Sequence, residues 1–213
     1  MGDFIASRWT DIVFRSYQHA SLVTQSVFIA TVIAIALAVL VTSIPKLEPI
    51  ANTISTIGLT IPSFALLGIL IPLAGIGAVT SMILVAFYAV LPILRNATVG
   101  LLGVDKTLIE SAVGMGMKPW TIFWRVRLPL AWPIILTGLR VSTQMSMGIA
   151  AVAAYALGPG LGSYIFTGLA QIGGKNALNY ALVGTIGIVV IALVADAVLV
   201  LIGRLSISKG IRA

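Results

Sequence analysis

The 23 residues from Leu22 to Ile44 contain no Asp, Glu, Lys or Arg. About 20 apolar residues, rising 1.5 Å each, are what a helix needs to cross the roughly 30 Å hydrocarbon core of a bilayer. Within this run Ala30, Ala34 and Ala38 recur at four-residue spacing, a small-residue stripe that lets a neighbouring backbone come close. It starts too far from the N-terminus, and is too long, to read as an ordinary cleaved signal peptide. The remaining chain is of the same kind: 59% of its 213 residues are hydrophobic and 9% are charged, with a mean hydropathy of +1.12. An ordinary soluble domain carries about 25% charged residues. Further apolar stretches run from Ile54 to Ala74 across Pro62, from Val79 to about Leu94 across Pro92, from about Leu130 to Ala154, and from Leu182 to Ile202. The expected fold is all-α: a polytopic transmembrane helical bundle of about five spans, with residues 1–213 forming one membrane domain in a lipid bilayer.

Composition also removes most enzyme chemistry. There is no cysteine, one histidine (His19) and six carboxylates scattered along the chain, so neither a metal site nor a cofactor is expected. No G-x-x-x-x-G-K-[ST] run occurs, so the chain is not expected to hydrolyse ATP. Gly158, Gly160 and Gly162 have no preceding strand to make them a dinucleotide loop. The formal net charge of +7 could suit nucleic acid in a soluble protein, but here the positions of the cations give another reading, and no nucleic acid is expected. Arg95, Lys106, Lys118, Arg125 and Arg127 lie in one connection, Arg204, Lys209 and Arg212 in the tail, and Lys46 in the first connection. Only Arg8, Arg15 and Lys175 fall on the other side. Cytoplasmic loops are enriched in Lys and Arg, which predicts the N-terminus outside and the C-terminus inside.

The connection of residues 95–129 is much longer than those usual between packed helices, and long loops in compact domains tend to be functional. Thr107 and Glu110 have the spacing of a capping box, with Asp105 as a competing N-cap. Leu108, Ile109, Ala112, Val113 and Met115 then give a short helix an apolar side, ending near Gly114 or Gly116 before Pro119. So short a helix is marginal alone in water and needs something to pack on, either its own bundle or a partner's groove.

Glu110-Ser111-Ala112, Gly116 after three residues, and Val126-Arg127-Leu128-Pro129 after nine more resemble the loop signature EAA-x3-G-x9-I-x-L-P of bacterial ABC importer permeases. Ser111 and Val126 are conservative departures. The runs Thr60-Ile61-Pro62-Ser63, Gly114-Met115-Gly116-Met117 and Gly160-Leu161-Gly162-Ser163 are similar to the branch that imports glycine betaine, choline and carnitine. The Ser208-Lys209-Gly210 tail closes the similar region. The resemblance implies a multi-pass permease subunit of type I importer fold in the bacterial inner (plasma) membrane. Its partners would be a pair of ATP-binding ABC subunits, a second permease, identical or related, and an extracytoplasmic substrate-binding protein. The short helix would dock in the ATPase, with Glu110, Ser111, Ala112 and Gly116 on the docking surface and Leu128 and Pro129 marking re-entry into the membrane. The alternatives are a permease for another small solute such as an amino acid, a passive channel, and, last, an intramembrane enzyme.

Four residues are candidates for the translocation path. Pro62 and Pro92 each remove a backbone hydrogen bond and mark bends beside a pathway; a packing kink accounts for either equally well. Tyr88 and Tyr155 offer aromatic faces of the type that holds quaternary ammonium groups, and packing or interfacial anchoring is the competing account. Arg140 and Asp196 are ionisable at membrane depth, where a partner is needed. Counted from the span ends, Arg140 lies about 15 Å in and Asp196 about 10 Å in, so a structural ion pair between them is expected. The stretch Tyr164 to Ile172 is too short to cross and is expected to be re-entrant or interfacial.

Overall fold

The structure, a computed structural model, describes residues 1–207; Lys209, Arg212 and the Ser208-Lys209-Gly210 tail lie outside the described residues. Among the described residues the chain is helical and without strands. Helices α1 (Gly2–Ser43), α2 (Leu47–Thr60), α3 (Ser63–Ala74), α4 (Ala78–Leu102) and α5 (Lys106–Gly114) come first. Next α6 (Pro119–Ile122) passes through a π-helical turn (Phe123–Arg127) into α7 (Leu128–Ala153), and a 3-10 turn (Ala154–Ala156), α8 (Gly162–Ala170) and α9 (Ala177–Ser206) follow. Four helical stretches are long and apolar enough to cross a membrane, and the bent pair α2–α3 makes up to five.

α4 is the centre of the bundle, packed between α1 and α7. The expected stripe of α1 faces the bundle interior: Ala30, Ala34 and Ala38 are fully buried, in line with Val23, Ser26 and Val27. α7 packs tightly on α4 where Gly138 faces Asn96, since a Cβ added at Gly138 would lie 2.6 Å from the Asn96 Cβ. This is small-residue packing between membrane helices. α9 lies against α7 and α8, and Trp132 Nε1 donates to Ser206 Oγ at 2.7 Å, joining the start of α7 to the end of α9. One end of the bundle, here the loop end, thus gathers the termini of α1, α4 and α9 beside α5 and α6.

Several boundaries differ from expectation for identifiable reasons. The stretch Ile54–Ala74 is not one straight span, because α2 and α3 meet at 94°. Pro62 forces Ile61 out of the helical region (φ −65°, ψ 124°), and the Tyr88 hydroxyl on α4 donates to the Ile61 carbonyl that the break leaves free. The 95–129 connection is shorter than expected, since α4 runs on to Leu102 with Ala97, Thr98 and Leu101 buried, and helix resumes at Pro119. Arg95 and Asn96 interrupt the apolar run without interrupting the helix: Arg95 is exposed, and Asn96 Nδ2 donates to Pro92 O in its own helix at 2.9 Å. α1 likewise begins at Gly2 rather than near Leu22. Its first turns are held from outside: Phe4 meets Tyr180 edge to face, the Arg8 guanidinium lies 4.9 Å from the Tyr180 ring centroid, and Asp11 accepts from Tyr164 Oη at 2.6 Å.

Candidate coupling surface and pathway

α5 stands between two well-formed ends. At its start Asp105 Oδ1 accepts the Thr107 backbone N–H at 2.8 Å, so Asp105 is the N-cap and the Thr107–Glu110 capping box does not form. Thr107 lies inside the first turn, where its carbonyl accepts from Ser111 Oγ at 2.8 Å. The Thr107 N–H holds the Asp105 carboxyl below its ordinary value. At the other end Gly116 N–H donates to Val113 O at 2.9 Å and Met117 N–H to Ala112 O at 3.1 Å. That pair of bonds is a Schellman closure, which needs a left-handed residue after the helix. Gly116 supplies it with φ +79°, which gives the glycine of the loop signature a physical reason.

The expected docking residues divide by exposure. Glu110 and Ser111 are exposed, as are Leu108, Val113 and Met115, the last at 74%. The Glu110 carboxylate has no hydrogen-bonding or ionic partner among the described residues. Ala112 is 2% exposed and the one buried residue of α5; it faces the protein's own interior, not an outside partner. A small side chain here lets the helix sit close to the α6 segment. Leu128 and Pro129 do not start a helix at re-entry, because nine residues of helix, Pro119–Arg127, precede them. The wider π register delivers Leu128 N–H to Phe123 O just before Pro129, which has no N–H to give.

The path candidates do not assemble into one site. Pro62 and Tyr88 meet at the bend, where Tyr88 is 3% exposed and bonded to Ile61 O. Tyr88 braces the bend and has no open face for a solute. Pro92 is buried inside α4 without ending it. Tyr155 is 64% exposed and belongs to a different group, with its ring centroid 5.6 Å from Phe64 and 5.7 Å from Phe166. Sequence reading missed Phe64 and Phe166; their adjacency to the Pro62 break and to the Gly158–Gly162 turn was the available signal.

Arg140 and Asp196 are brought together. Arg140 Nε donates to Asp196 Oδ1 and Nη2 to Oδ2, both at 2.9 Å, a two-pronged pair between α7 and α9. Gln144, one turn beyond Arg140, adds a donor to Asp196 Oδ1 at 3.1 Å. A polar residue four positions on in an apolar helix was the signal for it. The lone His19 is fully buried, with Nε2 3.2 Å from Met147 O, and is covered by the backbone of Gly160 at φ +122°. Among the described residues no group of three His, Asp or Glu side chains could hold a metal ion.

Residues 30–206 match the family model described as "Binding-protein-dependent transport system inner membrane component". The chain is 36% identical to the choline transport system permease protein OpuBB of Bacillus subtilis (strain 168), covering 94% of this chain and 91% of the relative. It is 34% identical to the glycine betaine/carnitine/choline transport system permease protein OpuCB of the same organism, covering 100% and 96%. The osmoprotectant import permease protein OsmY of Salmonella typhimurium (strain LT2) is 31% identical over 94% of this chain and 84% of that one. Among solved structures, a chain of the inward-facing MetNI methionine ABC transporter superposes with a TM-score of 0.73 at 23% identity, covering 88% of this chain and 94% of that chain. This last likeness is one of fold, the helical fold of an ABC importer permease. The chain belongs to the family of binding-protein-dependent transport system inner membrane components.

Proposed function

We propose that this protein is the permease subunit of an ATP-driven importer for osmoprotectants such as glycine betaine, choline or carnitine. The solute class comes from the relatives, whose names specify choline, glycine betaine and carnitine transport. As an inner membrane component with several apolar spans, it is a multi-pass membrane protein. The observation that carries the mechanism is α5: a capped, closed helix with Glu110, Leu108, Val113 and Met115 displayed on its surface and Ala112 anchoring it from below. An exposed apolar face on a helix this short fits a partner's groove. In this reading the partner is one of two ATP-binding subunits, a second permease completes the path, and an extracytoplasmic binding protein delivers the solute. Lys46, Lys106, Lys118, Arg125 and Arg204 lie towards the loop end, which supports a cytoplasmic location for it, with the N-terminus outside and the C-terminus inside. The Arg140–Asp196 pair is a structural fastening of α9 to α7, and residues 1–213 act as one membrane domain.

The test is uptake into proteoliposomes holding the complete complex. Labelled choline or betaine should enter with ATP, and Glu110→Lys should abolish uptake and weaken retention of the ATPase while the permease stays in the membrane. Entry of methionine but not of choline, betaine or carnitine would refute the solute class. Uptake that persists with a hydrolysis-dead ATPase would refute the energy coupling.

A further inference from the structure

α1 does not close against the segment that follows α5. A groove of about 750 Å3 lies between them, walled by Val32 and Val39 of α1 on one side and by Phe123 on the other, with Leu101 of α4 also lining it. From Val32 to Ser43 it follows α1 for about 16 Å, the depth of roughly half a bilayer core. Three further lining residues change its chemistry. Trp120 and Trp124 are 71% and 49% exposed, and tryptophan is the side chain that membrane proteins place at head-group level. Arg127 also lines the groove, and its Nε is buried without a hydrogen-bond partner. Guanidinium stays charged at any physiological pH, and a buried donor left unpaired is costly. None of the six Asp and Glu side chains lines the groove, so no acidic side chain among the described residues offers Arg127 a counter-charge.

A ligand that suits both the guanidinium and the apolar wall combines an anionic acceptor oxygen with a long apolar body. We propose that the groove is a binding site for an anionic phospholipid, one acyl chain lying along α1 between Val32 and Val39 and the head-group phosphate accepting from Arg127. Basic pockets between membrane helices recognise acidic head groups in this way, and the bilayer already supplies the ligand. The inference needs only that the chain is embedded in lipid. It is independent of the solute and of the ATPase, so it stands or fails separately from the transport reading.

Native mass spectrometry of the full-length protein, titrated with phosphatidylglycerol or with phosphatidylcholine of identical acyl chains, tests it. The wild type should retain phosphatidylglycerol with about fivefold preference, the ratio one basic side chain provides near a charged head group. Arg127→Gln should lose the preference, Arg125→Gln, outside the groove, should keep it, and Val39→Trp, which fills the groove, should lose both lipids. A photo-crosslinker at Val39 in the assembled complex should capture lipid. Equal retention of the two lipids by the wild type would overturn the site, as would a preference that survives Arg127→Gln or is lost equally in Arg125→Gln. Crosslinking of Val39 to the ATPase or to a second permease copy would assign the groove to a protein and likewise overturn it.

Discussion

Gly116 gives the sharpest handle on the coupling reading, because its contribution is confined to the backbone. Its φ of +79° lies in the left-handed region, and a Cβ built on it meets no atom within 4 Å. A side chain there has space, so steric crowding contributes nothing. What remains is the intrinsic penalty of left-handed backbone, about 1–2 kcal/mol for an L-residue. That is roughly a 5- to 30-fold loss in the population of the closed helix end. Asparagine tolerates this conformation better than alanine, and a β-branched valine tolerates it worse. ATP-driven uptake in proteoliposomes should therefore rank Gly116 first, then Gly116→Asn, Gly116→Ala and Gly116→Val. Retention of the ATPase subunit should fall in parallel, while permease inserted in the membrane stays constant because α5 lies outside the spans. If Gly116→Ala transports as well as the wild type, the Schellman closure has no part in coupling. If Asn is as damaging as Val, side-chain size and not φ is responsible, and the reasoning fails.

At the α4–α7 crossing, Gly138→Ala should lower the thermal midpoint of the solubilised protein by about 2–8 °C, taking overpacking at about 1–2 kcal/mol after the gain in helix propensity. The clash is with the Asn96 Cβ itself, so Asn96→Gly should restore the midpoint and Asn96→Ala should not; equal rescue by both would refute the crossing geometry. Replacing Arg140 or Asp196 singly with Leu should reduce assembled protein in the membrane more than replacing both, because each single change strands a charge; additive losses would remove the pairing. Asp105 has its carboxyl lowered from an ordinary 3.8, and a group lowered on folding adds stability above its unfolded pKa that is lost as pH falls through the folded one. The α5 cap should thus be insensitive to pH through the neutral range and open only below about pH 4, and Asp105→Asn, an equally good cap, should retain uptake where Asp105→Ala loses it; equal uptake by the two would refute the cap.

What could be read from the chain were features that depend on local spacing. The alanine stripe of α1, the depths of Arg140 and Asp196, and the glycine that ends α5 each follow from residues a few turns apart or from counting along one helix. Features that depend on distant partners were not legible. Pro62 marks a break, but neither its 94° angle nor the donor that meets the Ile61 carbonyl, a hydroxyl from Tyr88 26 residues further on, can be read locally. The first five turns of α1 look polar because Arg8, Asp11 and Arg15 punctuate them, and only the folded chain shows Tyr180 under Arg8 and Tyr164 on Asp11. Asp105 and Thr107 were both plausible caps by type, and backbone entry (φ −55°, ψ 127° at Asp105) selects between them.

The same contrast explains how a bundle this tightly packed could answer a partner at one end. From Pro119 to Ala156 the chain is continuously helical over 38 residues, about 57 Å at 1.5 Å per residue. That rod starts after a gap of four residues from α5 and carries Tyr155 in its last turn, against Phe64 on α3. Along most of its length it is locked, by Gly138 on Asn96 and by Arg140 on Asp196. The exception is Phe123–Arg127, where the π register widens the turn and no residue is fully buried. The rod thus carries buried residues from Ala131 to Ala153 and none in its π turn. Rigid-body switching needs a stiff transmitting element. Under the proposed function, this rod is the direct covalent route from α5 to the aromatic group around Tyr155.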